Sequence, residues 1–297
     1  MKLGMIGLDT SHVSELSKVF NDPANPFHIS DMPVVKAFPG GSKNTSFSYN
    51  RVGKYTAELA ERGIEMVNSI RDLAGLDGYL LESVDGLQHF EQFEQLVAFG
   101  KPVFIDKPLA CSYTAAKAIY DLSKHSGVPF FTASSIRYSP GVSDLRPADE
   151  TVCSAEAFGP MFLLPDYRDY FWYGIHTADT IFSYLGQGCQ TVEAISRGDI
   201  ELLVGTWKDG RTGICVGNRS GAYLFGARIL TDKTQHVGTL NTMESYMKTL
   251  SRNMAEFFRT GVSPIAPEES VEVIAFLEAA SRSRAQGGKP VSLAELS

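Results

Sequence analysis

Three groups of residues in this sequence have types and spacings suited to chemistry. The first is Asp106-Lys107-Pro108, which follows the apolar run Val103-Phe104-Ile105. An acid, an ammonium and a proline at the C-terminal end of a strand face the crevice in which open α/β sheets bind ligands. A lysine placed there can polarise a substrate hydroxyl or carbonyl, and burial and nearby carboxylates tune its proton affinity. The alternative for Lys107 is a surface lysine beside a tight turn. The second group is His176 and Asp179, three residues apart in a helical-period segment. On a helix they share one face, as a base and its orienting carboxylate require.

The third group is the stretch Gly4-Met5-Ile6-Gly7-Leu8-Asp9-Thr10-Ser11-His12. It has the position of a first βα turn, where amides at a helix N-terminus can receive a pyrophosphate. With Gly7 as the first glycine of G-x-G-x-x-G, Asp9 takes the second glycine position and His12 the third. A carboxylate at the second position should repel phosphate, so a purely structural turn is the competing reading. The end of the second strand carries no acid for the ribose hydroxyls. It offers Ser42 and Lys43, which could accept the 2′-phosphate of NADP or belong to a solvated loop.

The elements that must position these groups follow from periodicity. Short β-type runs alternate with helical segments over the first 130 or so residues, the pattern of βαβ units on a parallel sheet. Strands are predicted over Leu3–Leu8, Val34–Phe38, Gly78–Leu81, Pro102–Ile105 and Pro129–Thr132. Helices are predicted over His12–Phe20, Ala57–Arg62, Phe90–Phe99 and Tyr113–Ser126, with a short helix over Ile70–Ala74 that Ser69 caps. Ser42–Val52 reads as a long polar loop.

After about Ser135 hairpin punctuation replaces the alternation. Leu202–Trp207 and Gly213–Val216 flank the turn Lys208-Asp209-Gly210, and Tyr223–Leu230 reads as a further strand. Helices are predicted over Ile175–Leu185, Glu244–Phe258 and Pro267–Ala285. The expected architecture is therefore α/β: an N-terminal Rossmann domain with a doubly wound parallel sheet over residues 1–133, then an α+β domain over 134–297 with a largely antiparallel open sheet.

Composition narrows the functional classes. The chain has 297 residues, 43 % hydrophobic and 21 % charged, which excludes disordered and disulfide-scaffold compositions. Its net charge of −7 argues against an electrostatic grip on nucleic acid or anionic membrane. No apolar stretch approaches the roughly 18 residues of a membrane span, and the short N-terminal apolar run lacks a cleavage site, so a cytoplasmic protein is expected. Cys111, Cys153, Cys189 and Cys215 include no C-x-x-C pair, so the expectation is four buried, reduced thiols and no metal site.

The motifs Asp77-Gly78-Tyr79-Leu80-Leu81, His89, Gly100-Lys101-Pro102-Val103 and Asp106-Lys107-Pro108 together resemble the Gfo/Idh/MocA family, the glucose-fructose oxidoreductase and inositol dehydrogenase group. The family's E-K-P appears here as D-K-P. The resemblance continues through Ser135-Ile136-Arg137-Tyr138-Ser139-Pro140, through Gly174-Ile175-His176-Thr177-Ala178-Asp179 with Leu185-Gly186, and into Gly287–Leu293, so it covers nearly the whole chain.

The resemblance implies an NAD(P)-dependent oxidoreductase acting on a carbinol or carbonyl of a sugar, sugar acid or cyclitol, and a homo-oligomer, dimer or tetramer, joined through the C-terminal sheet. It implies that Lys107 contacts both nicotinamide ribose and substrate hydroxyl, that His176 and Asp179 face the substrate, and that His89 lies near the nicotinamide. Some family members place a catalytic histidine where this chain has Ser183. The expected cofactor set is Gly7, Asp9, Thr10, Ser11, His12, Ser42, Lys43, Glu82, His89, Asp106 and Lys107, with NAD or NADP as the cofactor. Arg137, Tyr170 and Trp172 are the expected substrate contacts: an acid-binding guanidinium, with a surface salt bridge as its alternative, and two aromatic faces for a sugar ring, with core or subunit interface as theirs. Two other readings stay open: a cofactor-poor relative that binds a sugar or a partner protein in a regulatory role, and a glycoside hydrolase that uses bound NAD.

Overall fold

The computed structural model describes residues 1–145, 149–240 and 246–296. The chain divides into two compact units. The first comprises Met1–Ala110, Ala115–Ala133 and Met247–Pro267, and the second comprises Cys111–Thr114, Ser134–Tyr246 and Glu268–Ser297. The change of unit after residue 133 falls where the sequence pattern changes, and residues 247–267 return to the first unit.

The first unit is built on six strands: β1 (Leu3–Ile6), β2 (Val34–Phe38), β3 (Glu65–Met66), β4 (Gly78–Leu81), β5 (Val103–Ile105) and β6 (Phe130–Phe131). All pairings are parallel, in the order β3-β2-β1-β4-β5-β6. Every residue of β1 and β4 is buried, as expected of strands covered on both faces. The helices are α1 (Ser11–Asn21), α2 (Ser46–Tyr49), α3 (Val52–Glu61), α4 (His89–Val97) and α5 (Tyr113–Ser126). This strand order is doubly wound and reverses direction between β1 and β4, the switch point at which such sheets bind ligands.

Three local readings change. The stretch expected to be a polar loop contains α2, whose Ser48 is buried, as are Ser42 and Thr45. Helix α3 starts five residues before the predicted Ala57, because its buried face holds only Tyr55 and Leu59. So narrow an apolar stripe leaves the first turn looking like loop. The predicted short helix is a 3₁₀ turn over Ile70–Leu73, and Ser69 and Asp72 form its capping box.

The second unit holds a seven-stranded sheet in the order β12-β11-β7-β10-β9-β8-β13. Its strands are β7 (Val152–Pro160), β8 (Cys189–Arg197), β9 (Ile200–Trp207), β10 (Thr212–Asn218), β11 (Gly226–Thr231), β12 (Gln235–Thr239) and β13 (Val291–Ser292). Only the β7–β10 pair is parallel. Helix α6 (Gly174–Leu185) lies against β7 and β10. The helix α7 (Tyr246–Thr260) belongs to the first unit from Met247 onward, and α8 (Pro267–Ala285) covers the sheet of the second. Glycines let these helices approach the strands: a Cβ on Gly213 would meet Ile181 at 2.9 Å, and one on Gly205 would meet Phe276 at 2.7 Å.

The predicted hairpin is present as β9–β10. The strand predicted from Tyr223 begins instead at Gly226, because Tyr223 and Leu224 point outward from the preceding connection. Glu244, the predicted start of the helix that forms α7, lies outside the described residues. Three of the four thiols are buried as expected, but Cys153 is exposed, since β7 alternates and turns Cys153 away from the buried Val152 and Ala155. Among the described residues no helix is long and apolar enough to cross a membrane.

Candidate functional site

In the first unit the chemistry gathers where β1, β4 and β5 end. Gly7 has φ +82°, and a Cβ there would lie 2.3 Å from Ser83 Oγ and 2.4 Å from the Ser83 backbone. The tight turn therefore needs glycine at this position. Thr10 then caps α1, its Oγ1 accepting from the His12 N–H at 3.4 Å, so the helix N-terminus opens directly onto the switch point.

Asp9, at the second glycine position, does not turn its carboxylate toward that helix end. It is fully buried, accepting from Val84 N–H at 2.9 Å and from Ser48 Oγ at 2.6 Å. Burial pushes its carboxyl above the usual range, against the lowering effect of those two hydrogen bonds. The carboxylate is engaged by these two hydrogen bonds, through which the aspartate ties the turn to α2 and to the segment after β4. Neither Asp9 nor Ser48 reads as such a tie from sequence, because they are 39 residues apart.

Beyond the strand ends the parallel ladder runs one residue further, with Glu82 N–H donating to Ile6 and Asp106 N–H donating to Leu81. This fixes Glu82 and Asp106 side by side. His12 Nδ1 is 3.0 Å from Asp106 Oδ1, and Lys107 Nζ is 3.7 Å from Asp106 Oδ2. One ligand-capable atom each from His12, Glu82 and Asp106 lies within 4.8 Å of the others. Glu82 is 0 % exposed, and neither of its carboxylate oxygens has a hydrogen-bond partner. Burial, then the Asp106 charge, pushes its carboxyl well above the usual range. Burial acts to raise Asp106 as well, but His12 and Lys107 outweigh it and hold that carboxyl well below the usual range. Lys107 is buried, so the surface-lysine alternative does not hold.

Two expected cofactor contacts have other tasks. His89 is buried with Nδ1 3.1 Å from Leu109 O and Nε2 2.7 Å from Ser83 O, so it braces two loops. Ser42 is buried and donates to Asp85 Oδ2 at 2.6 Å. That places a carboxylate beside the position proposed for a 2′-phosphate, while Lys43 is exposed. Asp85, which follows β4, also accepts from the Leu87 N–H at 3.1 Å, and a scan of β2 could not find it.

In the second unit α6 carries His176 and Asp179, and their partners differ from the expected ones. Asp179 Oδ2 accepts from Ser134 N–H at 2.7 Å, and its Oδ1 accepts from Arg137 at 2.9 Å. The group that orients His176 is Ser134, with Oγ 2.7 Å from Nδ1. Asp179 therefore holds Ser134, and Ser134 holds the imidazole. Sequence reasoning missed Ser134, although its place just before Ser135-Ile136-Arg137 was a usable signal.

Arg137 is largely buried, and its second nitrogen donates to Glu269 at 2.6 Å. Its guanidinium is committed to two carboxylates and is not an acid-binding group for substrate. Tyr170 is 0 % exposed and donates to Glu201, so it is a core residue and not a sugar platform. Trp172 is buried too, packed against Tyr167 and Tyr173 with ring centroids 5.3 Å and 5.9 Å away. The aromatic surface beside His176 comes instead from Tyr173 at 5.7 Å, backed by the buried Phe225 at 5.4 Å and extended by the half-exposed Tyr223, whose hydroxyl is 3.0 Å from that of Tyr173. Ser183 donates to the Thr180 carbonyl at 2.6 Å, within its own helix.

No protein-family model and no curated protein matches this chain. Solved structures do. GenD2 from gentamicin A biosynthesis, solved in complex with NAD, superposes with a TM-score of 0.79 at 16 % identity, covering 98 % of this chain and 96 % of that one. An oxidoreductase from Agrobacterium radiobacter in complex with NAD+, L-tartaric acid and magnesium gives 0.77 at 13 % identity, over 100 % and 99 % of the two chains. The myo-inositol dehydrogenase of Lactobacillus casei in complex with NAD(H) and myo-inositol gives 0.76 at 14 % identity, over 98 % and 96 %. The chain thus has, over nearly its full length, the fold of the inositol dehydrogenases and related oxidoreductases of the Gfo/Idh/MocA type.

Proposed function

We propose that this protein is an NAD(P)-dependent oxidoreductase that acts on a CH–OH group of a sugar, sugar acid or cyclitol. The observation that carries the reading is the β1–α1 turn: Gly7 keeps the turn tight, Asp9 is withdrawn into hydrogen bonds, and the capped N-terminus of α1 stands at the switch point of the sheet. These residues suit a dinucleotide, with Gly7, Thr10 and Ser11 cradling its pyrophosphate. The fold likeness to NAD-bound dehydrogenases supports the same assignment. The nicotinamide, when bound, supplies the hydride acceptor or donor.

The chain's own residues handle the proton and the orientation. Lys107, held beside Asp106, is assigned to polarise the reacting hydroxyl. In the second unit His176, fixed through Nδ1 by Ser134, is assigned as a proton-exchanging group, with Asp179 as the positioning residue behind Ser134. Tyr173 and the half-exposed Tyr223 offer aromatic faces to a ring carbon skeleton. The Asp85–Ser42 pair favours NAD over NADP, because a second carboxylate disfavours a 2′-phosphate. We further assign self-association to the C-terminal sheet, where Leu230 and Val237 stand exposed on β11 and β12, and place the protein in the cytoplasm.

Fluorescence titration of the purified protein tests the cofactor assignment. NADH should bind with micromolar affinity and NADPH more weakly; binding of neither nucleotide overturns the oxidoreductase reading. Lys107→Ala and His176→Ala should each lower turnover by at least about 10²-fold while leaving NADH affinity within a few-fold, and unchanged turnover in either removes that residue from the mechanism.

A further inference from the structure

We propose that His12, Glu82 and Asp106 form a binding site for a divalent transition-metal ion, held by one imidazole nitrogen and two carboxylate oxygens where β1, β4 and β5 end. The inference goes beyond the oxidoreductase reading and does not rest on it.

Geometry supports the site first. Two ligands about 2.1 Å from a shared ion stand about 3.0 Å apart at right angles and about 3.4 Å apart in a tetrahedron. The His12 Nδ1 to Asp106 Oδ1 separation is 3.0 Å, and one ligand-capable atom from each of His12, Glu82 and Asp106 lies within 4.8 Å of the others. The first of these distances matches an edge of a coordination polyhedron, and Glu82 moves inward to complete it. Parallel register makes the triangle rigid, since Glu82 and Asp106 are pinned by the backbone bonds to Ile6 and Leu81. His12 rides on the first turn of α1.

The second support is the state of Glu82. It is wholly buried, its two oxygens have no hydrogen-bond partner, and it is directed into a cluster that already holds Asp106. Buried carboxylates normally accept several hydrogen bonds, or bind a cation. Lys107 stands 3.7 Å from Asp106 Oδ2 and its charge acts on Glu82 as well, yet neither Glu82 oxygen has a hydrogen-bond partner. A cation seated between His12 Nδ1, Asp106 Oδ1 and Glu82 would satisfy both carboxylates and the imidazole together. One nitrogen and two oxygen donors suit manganese, iron, cobalt or zinc better than magnesium or calcium, which prefer oxygen throughout.

The test uses the full chain after chelator treatment, without nucleotide. Titration with Co²⁺ alone should produce visible d–d absorption that saturates at one ion per chain, and equilibrium dialysis with Zn²⁺ alone should give the same stoichiometry. Glu82→Gln and His12→Gln, each checked for native circular dichroism, should weaken Zn²⁺ binding by at least about 10-fold. If Glu82→Gln fails to fold, His12→Gln, at a residue that is not fully buried, carries the test. Substoichiometric binding to the wild type, or equal affinity in wild type and the folded variants, overturns the site. Nucleotide titration is independent of these readouts, so the metal site and the oxidoreductase reading can fail separately.

Discussion

At the scale of single residues, the side chains that sequence marks as reactive divide into those aimed at chemistry and those that hold others in place. Arg137 is the sharpest case. Read alone it is a basic residue suited to an acidic substrate; in the fold it bridges Asp179 and Glu269, all three largely buried. Removing one member of a buried ion network leaves uncompensated charge and typically costs about 3–5 kcal/mol. Arg137→Ala should therefore lower the unfolding free energy by about that amount in urea denaturation, whereas Glu269→Gln, which keeps an acceptor, should cost less. Equal, sub-kilocalorie effects would mean that the pair is solvated. Because Asp179 also holds Ser134, the Arg137→Ala protein should show a lowered kcat with an altered His176-linked pH profile, an effect that stability alone does not produce.

At the scale of elements, the legible part of the sequence was the part with a period. Gly78–Leu81, Tyr113–Ser126 and Pro267–Ala285 coincide with β4, α5 and α8 to the residue. The site was legible as strand ends: Gly7, Glu82 and the Asp106-Lys107 pair all lie just beyond strands. What could not be read was pairing across the chain. The bonds Asp9–Ser48, Ser42–Asp85 and Ser134–His176 join residues separated by about 40 positions, and no local pattern encodes them. Sequence spacing placed His176 and Asp179 on one face correctly, but one face is not one hydrogen bond.

Gly7 shows the element scale under stress. An alanine there would combine positive φ with contact against the Ser83 backbone, which cannot yield as a flexible side chain does. Gly7→Ala should cost roughly 2–4 kcal/mol, from overpacking and the left-handed penalty together. It should also weaken NADH binding more than a remote variant of equal stability, as thermal denaturation and titration side by side will show. An unchanged melting temperature would mean that the turn can rearrange.

At the scale of the whole molecule, the first unit is not a contiguous stretch of sequence. Phe257 of α7 meets Phe131 of β6 edge-on at 5.8 Å, and Phe258 lies where a Cβ on Gly78 of β4 would come within 2.6 Å of its ring. Both phenylalanines are buried. Phe257→Ala should cost about 3–5 kcal/mol by creating a cavity beneath the parallel sheet. A fragment ending at residue 133 should expose this apolar surface and bind a hydrophobic dye such as ANS, while a fragment that refolds cooperatively without α7 would contradict the assignment.

That interleaving has a consequence for synthesis. A nascent chain completes β6 at Phe131, yet the helix that seals its sheet ends at Thr260, 129 residues later. At the usual translation rate of about 5–20 residues per second, the wait is roughly 6–26 s. Throughout that interval the parallel sheet emerging from the ribosome has an uncovered greasy flank, a natural landing place for chaperones, and the second unit is made while the first is still waiting for its closing piece.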